Sequence, residues 1–240
     1  VLKETFKQLD KNIKITTRAK DGDYIAQKGI VCTISGNAQA ILKGERTALN
    51  FLGRLSGIAT TTHKFVKKVS AYKVKILDTR KTTPGLRTLE KYAVRMGGGY
   101  NHRFGLFDQV LIKDNHIKIL KLGSKNCAIS RVVKIAKQAF QNDKTVEVEI
   151  KNLKELKSAL KVFPDIIMLD NMNYSQIKKA VRLRDDLNPQ VKLEASGNIN
   201  LKNINQFAMC GVDFISLGAL THSANNIDFS LIVQKKLRRS

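Results

Sequence analysis

The sequence predicts an α/β fold in which parallel strands alternate with helices. Six short segments are rich in Val, Ile and Leu, and helical patterns separate most of them, as is typical of parallel strands. Each segment ends in charged, hydroxyl or glycine residues, and in barrel-like α/β proteins the face formed by these ends holds the active site. The segments are Val74–Lys81, Val110–Asn115, Val146–Glu149, Ile166–Asn171, Val191–Gly197 and Phe214–Gly218.

The first part of the chain, up to about Ser56, does not show this alternation. It predicts a small α+β unit that packs beside the main domain. No Pro/Gly-rich linker follows it, so we expect the two parts to be rigidly joined. The unit is predicted to contain an amphipathic helix at Val1–Leu9, strands at Ile13–Arg18, Ile30–Ser35 and Ala38–Leu42, and a helix that begins near Gly44.

Helices of the main part follow from apolar residues spaced three and four positions apart. One further strand is predicted at Asp228–Val233, which would return to the first unit. We therefore place one domain at residues 1–56, joined by the tail 227–240, and the barrel domain at residues 57–226. The helices are predicted at Ile58–Ser70, Leu86–Met96, Ala128–Gln141, Leu153–Leu160, Tyr174–Leu187 and Leu201–Cys210.

The composition is strongly basic, with 43 Lys and Arg against 20 Asp and Glu and a formal net charge of +23. Such a charge could mark a nucleic-acid-binding protein, which would need cations in one exposed stripe with stacking aromatic residues. The lysines are instead spread over nearly every amphipathic segment, and aromatic residues make up only 6% of the chain. We therefore expect no nucleic-acid partner, although a positive field would attract small polyanionic substrates.

The remaining composition predicts an ordinary cytoplasmic protein with a real core. An apolar content of 42% supports such a core, and we expect neither a membrane span nor a signal peptide. The three cysteines, Cys32, Cys127 and Cys210, are far apart and lack C-x-x-C spacing, so neither a disulfide framework nor a zinc site is indicated.

Cations and imidazoles are concentrated after the first two predicted strands. Arg80 and Lys81 stand on a loop that contains proline, and arginine offers a planar fork suited to carboxylate or phosphate. The segments Asn101-His102-Arg103 and Lys113-Asp-Asn-His116 add further cations and two imidazoles to the same face. Together they indicate a pocket for an anionic substrate.

Two acids and two glycine loops complete this face. Glu149 and Asp170 would repel an anion unless they contact its hydroxyls, its metal ion or a developing positive charge, so they suggest a phosphorylated sugar with Mg²⁺. Salt bridges with neighbouring lysines are the alternative. Ser196-Gly197 and Gly218 follow the last two strands, where phosphate commonly binds to backbone N–H groups in α/β barrels.

Several long motifs resemble those of the quinolinate phosphoribosyltransferase family, also called carboxylating nicotinate-nucleotide pyrophosphorylases. They cover the chain from about Asp21 to its end, in the order expected for that family. Members usually have further helix before the first strand, whereas this sequence begins at Val1 inside a predicted helix. The motifs are Glu45–Leu52, Leu55–Ala59, Thr79–Arg87, Gly97–Leu106, Leu111–His116 and Gly218–Ser223.

The resemblance implies a fold, a reaction and residue roles. The fold would be an amino-terminal α/β sandwich joined to an open α/β barrel. Quinolinate and phosphoribosyl pyrophosphate would give nicotinate mononucleotide, pyrophosphate and carbon dioxide in NAD biosynthesis, with Mg²⁺ as the cofactor. The quinolinate carboxylates would be surrounded by Arg80, His102, Arg103, Lys113 and His116, with Lys113, Glu149 and Asp170 as the catalytic group.

The remaining implied roles concern the second substrate and the oligomer. Lys81, Glu149 and Asp170 would face the phosphoribosyl part, and Ser196, Gly197 and Gly218 would bind its phosphate. Arg46 would reach the pocket of the neighbouring subunit of a homodimer. The nearest alternative is a phosphoribosyltransferase that acts on nicotinate or another aromatic acid without decarboxylation, which would need fewer cations.

Overall fold

The computed structural model describes residues 1–122, 129–140 and 143–234. The helices are α1 Leu2–Leu9, α2 Ala38–Lys68, α3 Arg87–Met96, α4 Asp114–Leu122, α5 Ile129–Ala139, α6 Leu153–Leu160, α7 Tyr174–Leu187, α8 Ile204–Ala208 and α9 Ala219–His222. The strands are β1 Lys14–Thr17, β2 Cys32–Ser35, β3 Lys75–Leu77, β4 Val110–Ile112, β5 Val146–Ile150, β6 Ile166–Asp170, β7 Lys192–Ser196 and β8 Phe214–Ser216. No described helix is long and apolar enough to cross a membrane.

The small unit consists of an antiparallel pair of strands and the helices beside it. β1 pairs with β2 in a register that places Ile15 opposite Ile34. The helices contribute to a separate apolar cluster of four buried residues, Phe6, Ile13, Ala40 and Ala48. Gly44 lies under this cluster, since a Cβ there would come within 2.8 Å of the Phe6 ring.

The strand predicted at Ala38–Leu42 is wrong, because these residues form the first turn of α2. The Asn37 side chain accepts a hydrogen bond from the backbone N–H of Ala40, which is the usual cap of a helix start. Alanine is also the strongest helix former, so local propensity agrees with this result. Helix α2 then continues for 31 residues and includes both of the shorter helices predicted there.

All six strands predicted for the main domain are present in one parallel sheet. The order is β3-β8-β7-β6-β5-β4, so β3 and β4 are its edges. No ladder joins these two edge strands in the described part of the chain, and the barrel is therefore open. The fold class predicted from the sequence, a small α/β unit joined to an open α/β barrel, is confirmed.

Alternation along the strands separates the core from the barrel interior. Val146, Val148 and Ile150 of β5 are fully buried in the large apolar cluster with the surrounding helices. Glu147 and Glu149 occupy the alternate positions and therefore point to the other face of the sheet, inside the barrel. Register places Asp170 of β6 beside Ser196 of β7 at the carboxyl end.

The strand predicted at Asp228–Val233 is also wrong. These residues form no ladder, and the chain just before them packs against α2. The Ile227 N–H donates to the Gly53 carbonyl at 3.0 Å, and a Cβ on Gly57 would clash with the Asn225 carbonyl. Glycine on the helix allows this close approach, so the segment docks on a helix rather than a sheet edge.

The predicted domain limits stay a prediction. The limit at residue 56 falls inside the continuous helix α2. Cys127 and residues 235–240 of the predicted tail lie outside the described residues, as do the two ends of the helix predicted at Ala128–Gln141.

Candidate active site

The loop that carries Arg80 and Lys81 is bonded to α9, which follows β8, the strand paired with β3. The Thr221 hydroxyl of α9 donates to the Lys81 carbonyl at 2.6 Å, and the Lys81 N–H donates to Thr79 Oγ1 at 3.0 Å. The Arg87 side chain donates to Thr82 Oγ1 and to the Arg80 carbonyl. The two cations are therefore presented by a braced loop.

A buried ion pair supports the same loop from below. Glu90 of α3 is fully buried and accepts from Arg54 of α2 at 2.8 Å. Its carboxylate also accepts from the Thr83 N–H at 3.1 Å and from the Thr83 hydroxyl at 2.8 Å. Arg54 additionally donates to the Thr221 carbonyl. One carboxylate and one guanidinium thus join α2, α3, α9 and the cationic loop.

Asp78 at the end of β3 holds the loop of residues 100–103. Its buried carboxylate accepts from Lys91 Nζ at 2.5 Å, from Asn101 Nδ2 at 2.6 Å and from the His102 N–H at 2.8 Å. Lys91 Nζ also donates to the His102 carbonyl at 2.8 Å. Burial raises the pKa of Asp78, although these donors oppose the change, and burial lowers the pKa of Lys91.

His102 lies between two carboxylates inside the barrel. Its Nε2 is 3.1 Å from Glu147 Oε2 and 3.6 Å from Glu194 Oε2. Burial alone would lower the pKa of His102, but the hydrogen bond to Glu147 and the charges of Glu194 and Glu147 outweigh it and raise the pKa. Among the described residues, the side chains of His102, Glu147 and Glu194 form the one cluster of acids and imidazole whose ligand atoms lie close enough together to bind a single metal ion.

Arg103, next in the chain, is the buried cation of the site, with only 8% of its surface exposed. Its Nη1 donates to the Gln109 carbonyl at 3.3 Å. Burial and then the charge of nearby Arg80 lower its pKa, while Glu147 opposes this change. Arg80 carries a buried Nε with no hydrogen-bond partner among the described residues. Two desolvated guanidinium groups that repel each other would be stabilised by an anion.

Glu149, Asp170 and Lys113 form a second group at the strand ends. Burial, followed by repulsion from Asp170, raises the pKa of Glu149, and the Lys113 charge opposes the change. Asp114 beside them accepts from Lys151 at 2.6 Å and from Lys118 at 3.2 Å, and these bonds lower its pKa to about 2. Glu149 and Asp170 are thus half-buried and adjacent to each other, with lysines around them.

The two predicted phosphate loops need glycine for different reasons, since Gly197 has a left-handed backbone, whereas Gly218 has ordinary helical angles and is closely approached by side chains. Gly197 has a φ of +94°, and a Cβ there would lie 2.2 Å from Asn171 Oδ1. The Asn171 side chain donates to Asp170 at 3.0 Å and accepts from Asn198 at 3.1 Å, which joins the ends of β6 and β7. Gly218 is flanked by the Lys81 and His222 side chains, each 3.0 Å from a Cβ built on it.

Two of the predicted site residues differ in position from the others, since Arg46 lies on the small unit and His116 lies on α4, in contact with the Lys113 backbone. The exposed Arg46 lines a cleft of about 230 Å³ between α2 and the segment 226–229, on the small unit. His116 is exposed at the start of α4, where its Nδ1 accepts from the Lys113 N–H at 3.0 Å. The other ten residues belong to strand ends or loops on one face of the barrel. Their roles stay predictions.

Sequence reasoning missed the residues that support this face. Asp78, Lys91, Glu90 and Arg54 were not singled out, because nothing in their local pattern distinguishes them from surface charges. The alternation Val-Glu-Val-Glu over residues 146–149 was a usable signal, since it places Glu147 on the same face as Glu149. Glu194 and His222 were likewise missed.

The arrangement defines a class of protein. An open α/β barrel presents guanidinium groups, an adjacent acid pair and two glycine loops at the carboxyl ends of its strands. Such a site suits an anionic ring beside a phosphorylated sugar, because arginine binds carboxylates and backbone N–H groups at glycine loops bind phosphate. The fold and the site therefore indicate an enzyme that acts on small phosphorylated substrates.

Comparison with known families narrows this class. Residues 1–56 match the model of the quinolinate phosphoribosyl transferase N-terminal domain, and residues 58–232 match that of the C-terminal domain. The chain therefore belongs to the quinolinate phosphoribosyltransferase family, and the predicted family resemblance is confirmed.

Individual relatives agree with the family models. The chain is 45% identical over 233 residues to the probable nicotinate-nucleotide pyrophosphorylase (carboxylating) of Bacillus subtilis, covering 97% of this chain and 78% of that protein. It is 43% identical over 218 residues to the Mycobacterium leprae protein of that name, covering 91% and 74%. The solved nicotinate-nucleotide pyrophosphorylase of Francisella tularensis superposes with a TM-score of 0.88 at 48% identity, covering 97% of this chain and 79% of that chain.

Proposed function

We propose that this protein transfers the phosphoribosyl group of phosphoribosyl pyrophosphate to quinolinate. Decarboxylation follows, so the products are nicotinate mononucleotide, pyrophosphate and carbon dioxide, and the reaction belongs to NAD biosynthesis. Family membership supports the reaction. The observation that carries it to this chain is the buried Arg103 beside Arg80, two guanidinium groups that a dicarboxylate would pair.

Quinolinate binding would orient the ring for attack. Arg80, Arg103 and Lys113 pair with its two carboxylates in a partly dehydrated pocket, and the ring nitrogen then faces the anomeric carbon of the ribose. Holding two reactants in this geometry supplies a large part of the rate enhancement of such reactions. Fixed donors also stabilise charge better in a dry site than in water.

The acid pair acts on the sugar as pyrophosphate leaves. Positive charge develops on the ribose, and Glu149 and Asp170 stabilise it directly or through hydroxyl groups. Their oxygens also suit Mg²⁺, which prefers oxygen ligands and would arrive with the pyrophosphate. The raised pKa of Glu149, caused by burial and by Asp170, supports this, because a cation beside the pair relieves that repulsion.

Decarboxylation then depends on the quaternised ring nitrogen, whose positive charge stabilises the electron pair left on the neighbouring carbon until that carbon is protonated. Lys113 is the candidate for returning a proton to that carbon. His116 is the weaker candidate, since its Nδ1 already accepts from the Lys113 N–H. Ser196, Gly197, Gly218 and Lys81 bind the phosphate of the sugar. The predicted cytoplasmic location stays a prediction.

A turnover assay tests the proposed function. Quinolinate and nicotinate are supplied in parallel, each with phosphoribosyl pyrophosphate and Mg²⁺, and the release of carbon dioxide is followed. Of the two ring compounds, we expect only quinolinate to be turned over. This turnover should be lost when Mg²⁺ is chelated. Turnover of nicotinate without carbon dioxide release would contradict the proposal and favour the non-decarboxylating alternative.

The proposal includes a homodimer in which Arg46 serves the partner subunit. Arg46 stands on α2 in the small unit, away from the strand ends of its own barrel, so it reaches a pocket only across an interface. A twofold dimer would deliver it to both pockets by symmetry. Mixing inactive Arg46→Ala protein with inactive Arg103→Ala protein should therefore restore activity.

The expected recovery has a defined size. Random exchange places half of the protein in heterodimers with one intact site each, so recovery should approach about a quarter of wild-type activity per site. The exchange itself is checked with differently tagged subunits. If exchange occurs and activity stays absent, Arg46 serves its own subunit or only the fold.

A further inference from the structure

A closed ring of hydrogen bonds lies beneath the Arg103 guanidinium. Glu147 Oε2 accepts from His102 Nε2 at 3.1 Å and from Gln109 Nε2 at 2.7 Å. The Gln109 carbonyl accepts from Arg103 Nη1 at 3.3 Å, and the Arg103 N–H donates to His102 Nδ1 at 2.7 Å. Arg103 is therefore held at its backbone and at its guanidinium, and both restraints lead back to Glu147.

Glu194 lies beside this ring but is not part of it. It is fully buried, and neither carboxylate oxygen has a hydrogen-bond partner among the described residues. A second negative charge in such a place would be costly, because a buried charge without a partner loses its solvation. Burial and then the charge of Glu147 raise the pKa of Glu194 to about 8, although His102 and Ser216 oppose the change.

The direction of one hydrogen bond shows where the proton of this cluster resides. The Arg103 N–H points at His102 Nδ1, so Nδ1 accepts and the ring proton is on Nε2, facing Glu147. His102 is then a neutral ring, and the proton of the acid pair belongs to Glu194, whose carboxylate oxygens have no hydrogen-bond partner among the described residues. The two acids raise the pKa of His102, but protonation of Nδ1 would place two donors against each other and release the Arg103 backbone, so the hydrogen-bond geometry favours the neutral ring.

We propose that Glu147 is a positioning residue that fixes the direction of the Arg103 guanidinium through His102 and Gln109, and that Glu194 remains a neutral acid beside it. Neither carboxylate touches the substrate. The identity of the ligand, quinolinate, rests on the proposed function, whereas the ring of contacts and the location of the proton do not.

Two isosteric substitutions at the two acids give the main test. Glu147→Gln removes the charge of the carboxylate that accepts from both His102 and Gln109. Glu194→Gln mimics a neutral acid and serves as the matched control. We expect Glu147→Gln to weaken quinolinate binding about tenfold, since a small misplacement of a binding group has effects of this size or larger. Binding of phosphoribosyl pyrophosphate should change by less than about twofold, and Glu194→Gln should leave both affinities within that range.

A second variant and thermal melting separate positioning from folding. If Glu147→Gln protein fails to fold, Gln109→Met removes one donor of the ring while it keeps the backbone carbonyl that holds Arg103. This variant should weaken quinolinate selectively as well. A loss of both ligands in parallel, with a lower melting temperature, would mean that Glu147 serves only the fold and would overturn the proposal.

A measurement without ligand keeps the test independent of the proposed function. Nitrogen shifts of ¹⁵N-histidine protein, with the His102 signal identified by a His102→Asn variant, should show a neutral Nε2–H ring at pH 7. A doubly protonated His102 at that pH would overturn the location of the proton. So would a stoichiometric metal ion in the purified protein that Glu194→Gln removes. If the wild type binds no quinolinate but shows this ring, the proposed function fails and the positioning arrangement stands.

Discussion

Two pairs of carboxylates lie in the same barrel at different depths. Glu147 and Glu194 are fully buried, whereas Glu149 and Asp170 are half-buried at the strand ends with Lys113 near them. Glu147 and Glu149 are two residues apart on one strand and share a face, so about 7 Å of strand separates the two levels. In the deeper pair, Glu147 accepts from His102 and Gln109, whereas Glu194 has no hydrogen-bond partner among the described residues. By our proposal, the outer pair acts on the substrate.

The comparison shows how depth decides what an acid does. Glu147 at the deeper level accepts from two protein donors and stays fixed, so it can set the direction of Arg103. A carboxylate at the outer level has lysines around it and oxygens that protein donors do not fully occupy, so it can bind a metal ion or stabilise a sugar cation. Arg103, the cation held by the Glu147 ring, gives the first test of this division.

Removal of the Arg103 guanidinium should have the largest effect. Arg103→Ala should cost about 2–5 kcal/mol of transition-state stabilisation, as expected when one partner of a buried charge pair is lost. Quinolinate affinity should fall more than phosphoribosyl pyrophosphate affinity, which calorimetry measures directly. Equal weakening of both ligands would contradict the position given to Arg103.

Neutralisation of the outer pair should lower turnover without loss of quinolinate binding. Glu149→Gln and Asp170→Asn remove an interaction that is stronger in the transition state than in the ground state. We expect kcat to fall about tenfold or more, with the quinolinate dissociation constant within a factor of about three. Steady-state kinetics measures kcat, and calorimetry measures the quinolinate dissociation constant. A wild-type kcat in both variants would contradict the role proposed for Glu149 and Asp170.

The deeper pair should instead be visible in stability against pH. The pKa of Glu194 is about 8 in the folded protein against 4.5 in the unfolded chain, so the folded state holds the proton more tightly. The stabilisation of the folded state that this tighter proton binding provides is complete below pH 4.5 and is lost as the pH rises through 8. Between pH 7 and 8.5 the free energy of unfolding should fall by about 1 kcal/mol from this group.

Urea unfolding at these two pH values measures the change. Glu194→Gln should show a smaller decrease than the wild type, because the amide does not titrate. Surface pairs such as Asp114 and Lys118 provide a background that both proteins share. Parallel curves for wild type and variant would contradict a proton on Glu194.

The sequence predicted the barrel better than the small unit, and the reason is physical. Strands buried on both sides, such as β6, are apolar runs that alternate with helices, and this pattern has few other interpretations. The segment that begins at Ala38 is not part of an alternation of strands and helices. Its helix depends on the Asn37 cap and on packing against Phe6. The tail depends on glycines of α2, which no local pattern links to residue 227.

The candidate site shows the same limit. Asp170 and Ser196 stand at strand ends, where a pattern that places parallel strands also places their last residues. Glu90 and Asp78 act through contacts with Arg54 and Lys91 that lie 36 and 13 positions away in the chain. Spacing along the chain cannot reveal such partners. Glu147 was within reach of sequence reasoning, since it alternates with Glu149 on one strand.

Helix α2 has a consequence for how the protein unfolds. Its 31 residues, about 46 Å at 1.5 Å per residue, contribute Ala40 and Ala48 to the small cluster and Ile58 and Phe65 to the large one. Neither cluster can lose its helix without fraying the other's, because an isolated half of this helix is a marginal structure in water. The two hydrophobic cores should therefore melt as one cooperative unit, with a single calorimetric transition whose enthalpy belongs to the whole chain.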